Sequence, residues 1–393
     1  MKIKQIDILE IEENPKDNPG WRPVLVRIYT DENIYGDGEA ALSFGLGAKA
    51  VVGMIKDLSK KLIDKNPLDI EVIWEDLYHN SFWGQNGSAV FFAALAAIDI
   101  ALWDIKAKYF KVPLYVLLGG KHRNKLKTYA SQLQYGWQEP RIRMTEDEDY
   151  VEGSKKAVED GFKTLKIDFF AFDKNGNRID YKKTSNLLDQ ETLKLFNNRL
   201  SKVRKSVGDG IDIIVEAHGV TDINTCRQLN KIMIENNVLF LEEPVISSVS
   251  SMKQVRDNTD ILLASGERIY SKWQFLEYFK QHSINIAQPD LGSCGGITEC
   301  LKICALAQAY DVAIQLHVCA SPLLTAASLN VEASLSNFAI HEHHINNLQE
   351  YNRRLCKYDW QPNDGYFEIP EIIGIGNEIS QYAFEVANIS SIK

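Results

Sequence analysis

Six polar residues that each close an apolar run, Glu216, Glu242, Glu267, Asp290, His317 and Glu342, follow one another at steps of 26, 25, 23, 27 and 25 residues. A step that constant is the length of one strand, one helix and their loops, so one face of a repeated unit is being addressed again and again. Around these residues the chain reads as eight short β-rich runs from about Lys125 onward: LKTYAS, TLKIDF, DIIVEAHG, VLFLEEPV, ILLASGE, INIAQPD, VAIQLHV and NFAIHEHH. Each of the first seven is followed by a helical stretch such as LDQETLKLFNNRLSKVRKS or GITECLKICALAQAY, and the eighth is not. The pattern predicts an α/β fold, a modified TIM barrel of the (β/α)7β kind, over residues 125–359.

Upstream of it, KIKQIDILEI, PVLVRIYTD and YGDGEAAL predict three half-buried antiparallel strands, and AKAVVGMIKDLSKKLI, PLDIEVIWEDLYHN and AVFFAALAAIDIALWDIKAKYF predict helices, the last apolar on most sides. Residues 1–124 therefore form a small α+β unit. The irregular tail ends in short apolar pieces, and residues 360–393 are expected to return to that domain. No Gly/Ser-rich or Pro-rich linker separates the halves, so they should pack together. The stretch DKNGNRID after the second barrel strand resembles a calcium loop, but its glycine comes too early and no glutamate closes it, which predicts a surface turn.

Composition narrows the partners. A 393-residue chain with 45% apolar and 25% charged residues has the profile of a soluble globular protein. Its formal net charge of -9 disfavours nucleic acid and anionic membranes, so a small anionic ligand would need a local cation. Six cysteines without CxxC spacing, no apolar core in MKIKQIDILE and no long uncharged apolar run lead us to expect a reduced, cytoplasmic setting and no membrane partner.

Chemistry in a parallel barrel belongs at the carboxyl ends of the strands. A single carboxylate there is readily a helix cap or half of a surface ion pair, but six polar residues in register are not. Strand three adds His218 and strand four adds Glu243. Glu216, Glu242 and Glu267 on adjacent strands bring negative charges together, which is unfavourable without a cation between them, and hard oxygen donors suit Mg2+. Asp290 and His317 finish neighbouring strands, where a carboxylate can orient an imidazole, so His317 is a candidate general base.

The runs IIVEAHG, FLEEP, ASGE, IAQPDLGSCGGITE, IQLHVCASP and NFAIHEHH resemble the successive barrel strands of the mandelate racemase subgroup of the enolase superfamily, and the N-terminal elements and closing DGYFEIP resemble its capping domain. The resemblance covers nearly the whole chain. It implies Mg2+ on Glu216, Glu242 and Glu267, a catalytic dyad of Asp290 and His317, Glu342 near the substrate carboxylate, and a homo-oligomer. Two departures sharpen it. Where racemases of the family carry Lys-x-Lys, this chain has Lys166, Ile167 and Asp168, so the second lysine is absent. His218 instead projects from strand three, as in galactonate dehydratase-like acid-sugar dehydratases. Glu216 stands where the family more often has aspartate, which puts the metal geometry in question.

The resemblance thus implies removal of the C2 proton of an aldonic acid by His317 and protonation of the departing 3-hydroxyl by His218, giving a 2-keto-3-deoxy acid. Mannonate, gluconate or aldaric acid dehydration, or non-catalytic binding of a sugar acid, fits the same scaffold. Lys166 reads equally as a contact to the substrate carboxylate or as a structural partner of a ligand carboxylate. The loops at 14–23 and 81–88 are the expected substrate-selecting surfaces, where Trp21 and Trp83 either pack on the sugar or pack the cap onto the barrel. Strand alternation sends His341 and His343 away from Glu342, and His344 reads as a loop or barrel-helix contact.

Overall fold

The computed structural model describes residues 1–12, 15, 16, 18, 20–85 and 87–393. The two loops expected to select substrate fall partly outside these, since 14, 17, 19 and 86 are not among them.

Strands β1 (Ile3–Ile11), β2 (Val24–Thr30) and β3 (Tyr35–Ala40) form an antiparallel sheet in the order of the chain. Alternation divides their side chains between two faces. Ile6, Ile8, Val24 and Val26 enter the core of the cap, whereas Leu9, Ile11 and Leu25 join the core of the barrel. The sheet is therefore buried on both faces rather than half-buried, because the barrel occupies the side that the alternation left to solvent. Helices α1 (Ala48–Ser59), α2 (Ile70–His79) and α3 (Ala89–Phe110) supply the rest of the cap. Helix α3 starts at Ser88, whose hydroxyl accepts from the Phe91 amide at 3.4 Å, and is buried through most of its length, as its composition predicts. It lies so close to β3 that a Cβ on Gly36 or Gly38 would stand 2.0 Å from the carbonyl oxygen of Ala101 or Ala97. Glycine in YGDGEA is thus a condition of that contact.

The barrel follows. Strands β4 (Lys125–Ser131), β5 (Thr164–Ile167), β6 (Asp212–Glu216), β7 (Val238–Glu242), β8 (Leu262–Ser265), β9 (Ile286–Ala287) and β10 (Ala313–Ile314) pair in parallel with their sequence neighbours. Strand β11 (His341–His344) pairs in parallel with β4. The seam between β10 and the approach to β11 is joined by Ile314 N to Asn337 O at 2.9 Å and Ala339 N to Ile314 O at 2.7 Å. Helices α4 (Asp147–Glu159), α5 (Gln190–Val207), α6 (Ile223–Glu235), α7 (Val249–Arg256), α8 (Lys272–Lys280), α9 (Gly296–Ala309) and α10 (Pro322–Ser334) follow the first seven strands. This is the (β/α)7β order expected from the sequence.

Alternation also builds the site. Ile214, Phe240, Ile286 and Ile340 form an apolar cluster with Tyr129 and Ala264 inside the barrel. Two residues further along each strand the side chain points inward again. There the sequence places Glu216, Glu242, Gln288 and Glu342, all buried, so a polar layer sits directly above the apolar one.

The tail does not run straight back to the cap. Strand β12 (Tyr366–Glu368), from the closing DGYFEIP, pairs antiparallel with β4 of the barrel. Helix α11 (Gln381–Val386) then leads to β13 (Ala387–Ile392), which adds to the cap sheet beside β1. Cap and barrel are also tied by Glu39, whose carboxylate accepts from Ser321 N at 2.9 Å and Ser321 Oγ at 2.5 Å where α10 begins. The DKNGNRID stretch is a tight turn: Asp173 Oδ1 accepts from Asn175 N at 2.8 Å and Asn177 N at 3.0 Å. Among the described residues, no helix is long and apolar enough to cross a membrane.

Candidate active site

Adjacent strands bring the acidic residues to one level, with Glu216 and Glu242 direct register partners on β6 and β7. Lys166, one strand over on β5, is fully buried beside them. Its ammonium lies 2.5 Å from Glu242, 2.8 Å from Glu342 and 3.7 Å from Glu216. Burial opposes that charge, but the three carboxylates outweigh it and hold the lysine well above its ordinary range. Of the two readings of Lys166, the geometry takes the second: it is paired with the carboxylates and is not on the cavity wall.

The carboxylates differ in their support. Burial pushes Glu242 up to about 8, against the pull of Lys166, and its other oxygen accepts from Gln288 at 2.6 Å. Glu342 also resists ionisation through burial, yet Lys166 and His317 hold it well below the usual range. It accepts in addition from Ser131 Oγ at 2.6 Å and Val318 N at 2.9 Å. Glu243 turns the other way from a left-handed backbone of φ 46°. Its carboxylate is held by Ser265 Oγ at 2.5 Å, Gly266 N at 3.1 Å and Arg268 at 2.8 Å. A Cβ at Gly266 would meet the backbone of Gln288 at 2.5 Å, so the glycine of ASGE keeps β8 and β9 together before Glu267 emerges.

Two histidine–aspartate pairs flank the acids. His317 Nδ1 lies 2.7 Å from Asp290 Oδ2, while its Nε2 lies 3.1 Å from Glu267. His218 Nδ1 lies 2.9 Å from Asp168 Oδ2, while its Nε2 lies 3.0 Å from Glu216. The second pair repeats the first, and its acid is the residue that stands where the sequence lacks a second lysine. Burial lowers both imidazoles, but the facing acids win: Glu216 and Asp168 bring His218 up to about 9, and Asp290 and Glu267 hold His317 well above its ordinary value. His218 has a left-handed φ of 48°, which swings its ring back toward the strand ends.

Both histidines and Glu267 open onto one cavity of about 440 Å³, of the size that takes a small molecule. Sequence reasoning missed much of its wall. The loop after β4 brings Gln132, Gln134, Tyr135 and Arg141, and the turn after β5 brings Arg178. Arg268, shared between Glu243 and Glu267 at 2.8 and 2.7 Å, directly follows the motif residue and was visible in GER. Ala41, Leu42 and Phe44 close the cavity from the cap, just past β3. His344 and Cys319 also line it, 3.4 Å apart. His344 thus belongs to the site, contrary to its expected loop or helix contact. His341 and His343 do point outward: His341 meets Glu332 of α10 at 2.6 Å, and His343 stacks on Phe162.

The two tryptophans do not reach this cavity. Trp21 is 1% exposed and donates from Nε1 to Asn352 Oδ1 at 3.2 Å, so its ring packs cap against barrel. Trp83 is 86% exposed, meets Phe82 edge-on and borders a different hollow beside Met54 and Asn80.

Among the described residues, no three His, Cys, Asp or Glu side chains converge closely enough to hold a metal ion. The reason is local: Glu216 is turned to His218, Glu242 to Lys166, and Glu267 to His317 and Arg268. The donor chemistry nevertheless fits a hard divalent cation. Three carboxylates end adjacent strands, and Lys166, His218, His317 and Arg268 now face the charge that a cation would balance. Glu216, Glu242 and Glu267 are the residues that would hold it.

An α+β cap closing a (β/α)7β barrel, with acids and histidines at the strand ends, defines a barrel enzyme of the enolase-superfamily type. Residues 21–119 match the mandelate racemase / muconate lactonizing enzyme N-terminal domain, and residues 149–383 match the enolase C-terminal domain-like family. The chain belongs to the mandelate racemase / muconate lactonizing enzyme family. It is 31% identical over 372 residues, 92% of this chain and 90% of its relative, to a D-galactonate dehydratase of Ralstonia pickettii. A D-galactonate dehydratase of Verminephrobacter eiseniae is 31% identical over 97% of this chain and 93% of its own length. Among solved structures, a member of the enolase superfamily from Salmonella Typhimurium superposes with a TM-score of 0.96 at 42% identity, covering 100% of both chains.

Proposed function

We propose that the chain is an acid-sugar dehydratase, a hydro-lyase that takes a proton from C2 of a sugar acid and expels the 3-hydroxyl as water. The observation that carries this reading is the pair of histidine–aspartate couples, His317–Asp290 and His218–Asp168, opening onto one cavity beside the same acids. Elimination needs a base at one carbon and an acid at the next, and two independently oriented imidazoles supply both.

Glu216, Glu242 and Glu267 would hold Mg2+, which would balance their charge and supply a Lewis acid for the substrate carboxylate. Asp290 fixes His317 with Nε2 toward the cavity, where the imidazole in its neutral form accepts the C2 proton. The electron pair left on C2 moves into the carboxylate and then returns to expel the C3 oxygen. His218, oriented by Asp168, gives its proton to that leaving hydroxyl. The enol so formed gains a proton at C3 as its 2-hydroxyl loses one and becomes the 2-keto-3-deoxy acid, so the balance is the loss of one water. Lys166 holds Glu342 and Glu242 in place beneath the reaction.

Galactonate, the substrate in the names of the two relatives above, is the first compound to test. A panel of aldonic and aldaric acids with Mg2+, read for 2-keto-3-deoxy products, should give a product from at least one member. A panel without product, from protein shown to be folded, contradicts the reading.

A further inference from the structure

Among the described lining residues of the cavity are three imidazoles, His218, His317 and His344, and the third holds its proton on the other nitrogen. In the two couples a carboxylate faces Nδ1, at 2.9 Å in His218 and 2.7 Å in His317, so that nitrogen carries the N–H. In His344 the backbone N–H of Asn346 donates to Nδ1 at 3.0 Å. A backbone amide nitrogen can only donate, so this Nδ1 is bare and the ring proton sits on Nε2. Burial pushes His344 down to about 3, against the pull of Glu342, and the ring stays neutral. His344 is therefore no base. It is a fixed N–H donor, set where the chain turns after β11.

That donor faces the thiol of Cys319, 3.4 Å away on the loop after β10. Sulfur is a weak acceptor, so an oxygen reaching this point from the cavity is the better partner. The level of the donor also matters. Glu342 and His344 share the inward face of β11, and two residues of strand carry His344 about 6–7 Å further toward the cap. There Asn346 Oδ1 accepts from Asn18 Nδ2 of the cap at 3.3 Å, so the residue that fixes the imidazole also meets the cap. With the carboxylate, C2 and C3 among the acids and the two couples, the remainder of a sugar chain extends toward the cap past His344. We infer that His344 reads that chain: its Nε2–H donates to a hydroxyl oxygen beyond C3, and the Cys319 thiol occupies the donor when no sugar is bound. The inference rests on the dehydratase reading and adds a specificity-determining residue to it.

The test is equilibrium binding by calorimetry, with Mg2+ present, of galactonate, gluconate and mannonate to the wild-type chain, then of the 4-, 5- and 6-deoxy forms of the tightest binder. Product formation is recorded in parallel. The series is repeated on His344→Leu, which removes the donor, and on His344→Gln, whose amide supplies another N–H. His344→Leu should weaken the parent acid about three- to tenfold, the range for a hydrogen bond between neutral groups. One deoxy form should bind the wild type more weakly by the same factor and lose nothing further in His344→Leu, which identifies the hydroxyl. His344→Gln should recover part of the loss. A merely structural role predicts an equal loss for the parent and every deoxy form. That result overturns the inference, as does unchanged affinity in His344→Leu or the absence of any binder. Nitrogen NMR of the histidine rings decides on the wild type alone, whether or not the variants fold: a proton on His344 Nδ1 also overturns it. Failure of the dehydratase reading looks different: the binding pattern holds, but no acid yields a 2-keto-3-deoxy product.

Discussion

Lys166→Met removes the cation at the centre of the buried acids and leaves its volume filled. The ammonium lies 2.5 Å from Glu242, 2.8 Å from Glu342 and 3.7 Å from Glu216, all within the barrel. At an effective dielectric of about 20, each contact near 3 Å is worth about 5 kcal/mol of attraction. Desolvation of the ammonium offsets much of that, and losing one partner of a buried pair costs about 3–5 kcal/mol net. We expect that loss in urea denaturation with EDTA present. The loss should also depend on pH. Burial already pushes Glu242 up to about 8, and removing Lys166 pushes it further. The folded state then holds a proton that the unfolded chain has released above about pH 4.5, so stability falls as pH rises from there through the folded pKa, and falls further in the variant. The variant should therefore lose less at pH 5.5 than at pH 8.5. A variant within about 1 kcal/mol of the wild type at both values refutes the role given to Lys166.

Other expectations follow from single contacts. Asp168→Asn removes the negative charge facing His218 Nδ1, so His218 should hold its proton less tightly and the alkaline limb of the rate profile should move down, with kcat lowered. Trp83→Ala should leave kcat/KM within about twofold, because the ring borders another hollow; a loss above about tenfold would bring the 81–88 loop back into the site. Trp21→Phe loses the hydrogen bond to Asn352 and should cost about 1 kcal/mol of stability by denaturant titration, with KM little changed.

The barrel was legible because its signal is local and repeated: strands of β-rich residues ended by an acid or histidine, at a step of one βα unit. The same regularity exposed Glu216, Glu242, Glu267, Asp290, His317 and Glu342, since strand alternation aims them inward. The wall of the cavity was not legible. Gln132, Tyr135, Arg141 and Arg178 sit on loops, where no period tells which side chains face inward, and Leu42 and Phe44 arrive from a part of the chain remote from the barrel. Asp168 was visible only as the absence of a lysine; its pairing with His218 depends on the φ of 48° that turns the histidine back. For Trp21 the sequence left two readings open, and only the structure decides for packing of cap against barrel, because its partner Asn352 comes from a remote part of the chain.

The division of labour between the two histidines is tested most directly by deuterium exchange at C2, with an acid sugar that the wild type dehydrates, in D2O with Mg2+. The account predicts that His218→Asn still exchanges the C2 proton with solvent while losing elimination by about a hundredfold or more, and that His317→Asn does neither. Exchange at the wild-type rate in His317→Asn would contradict it.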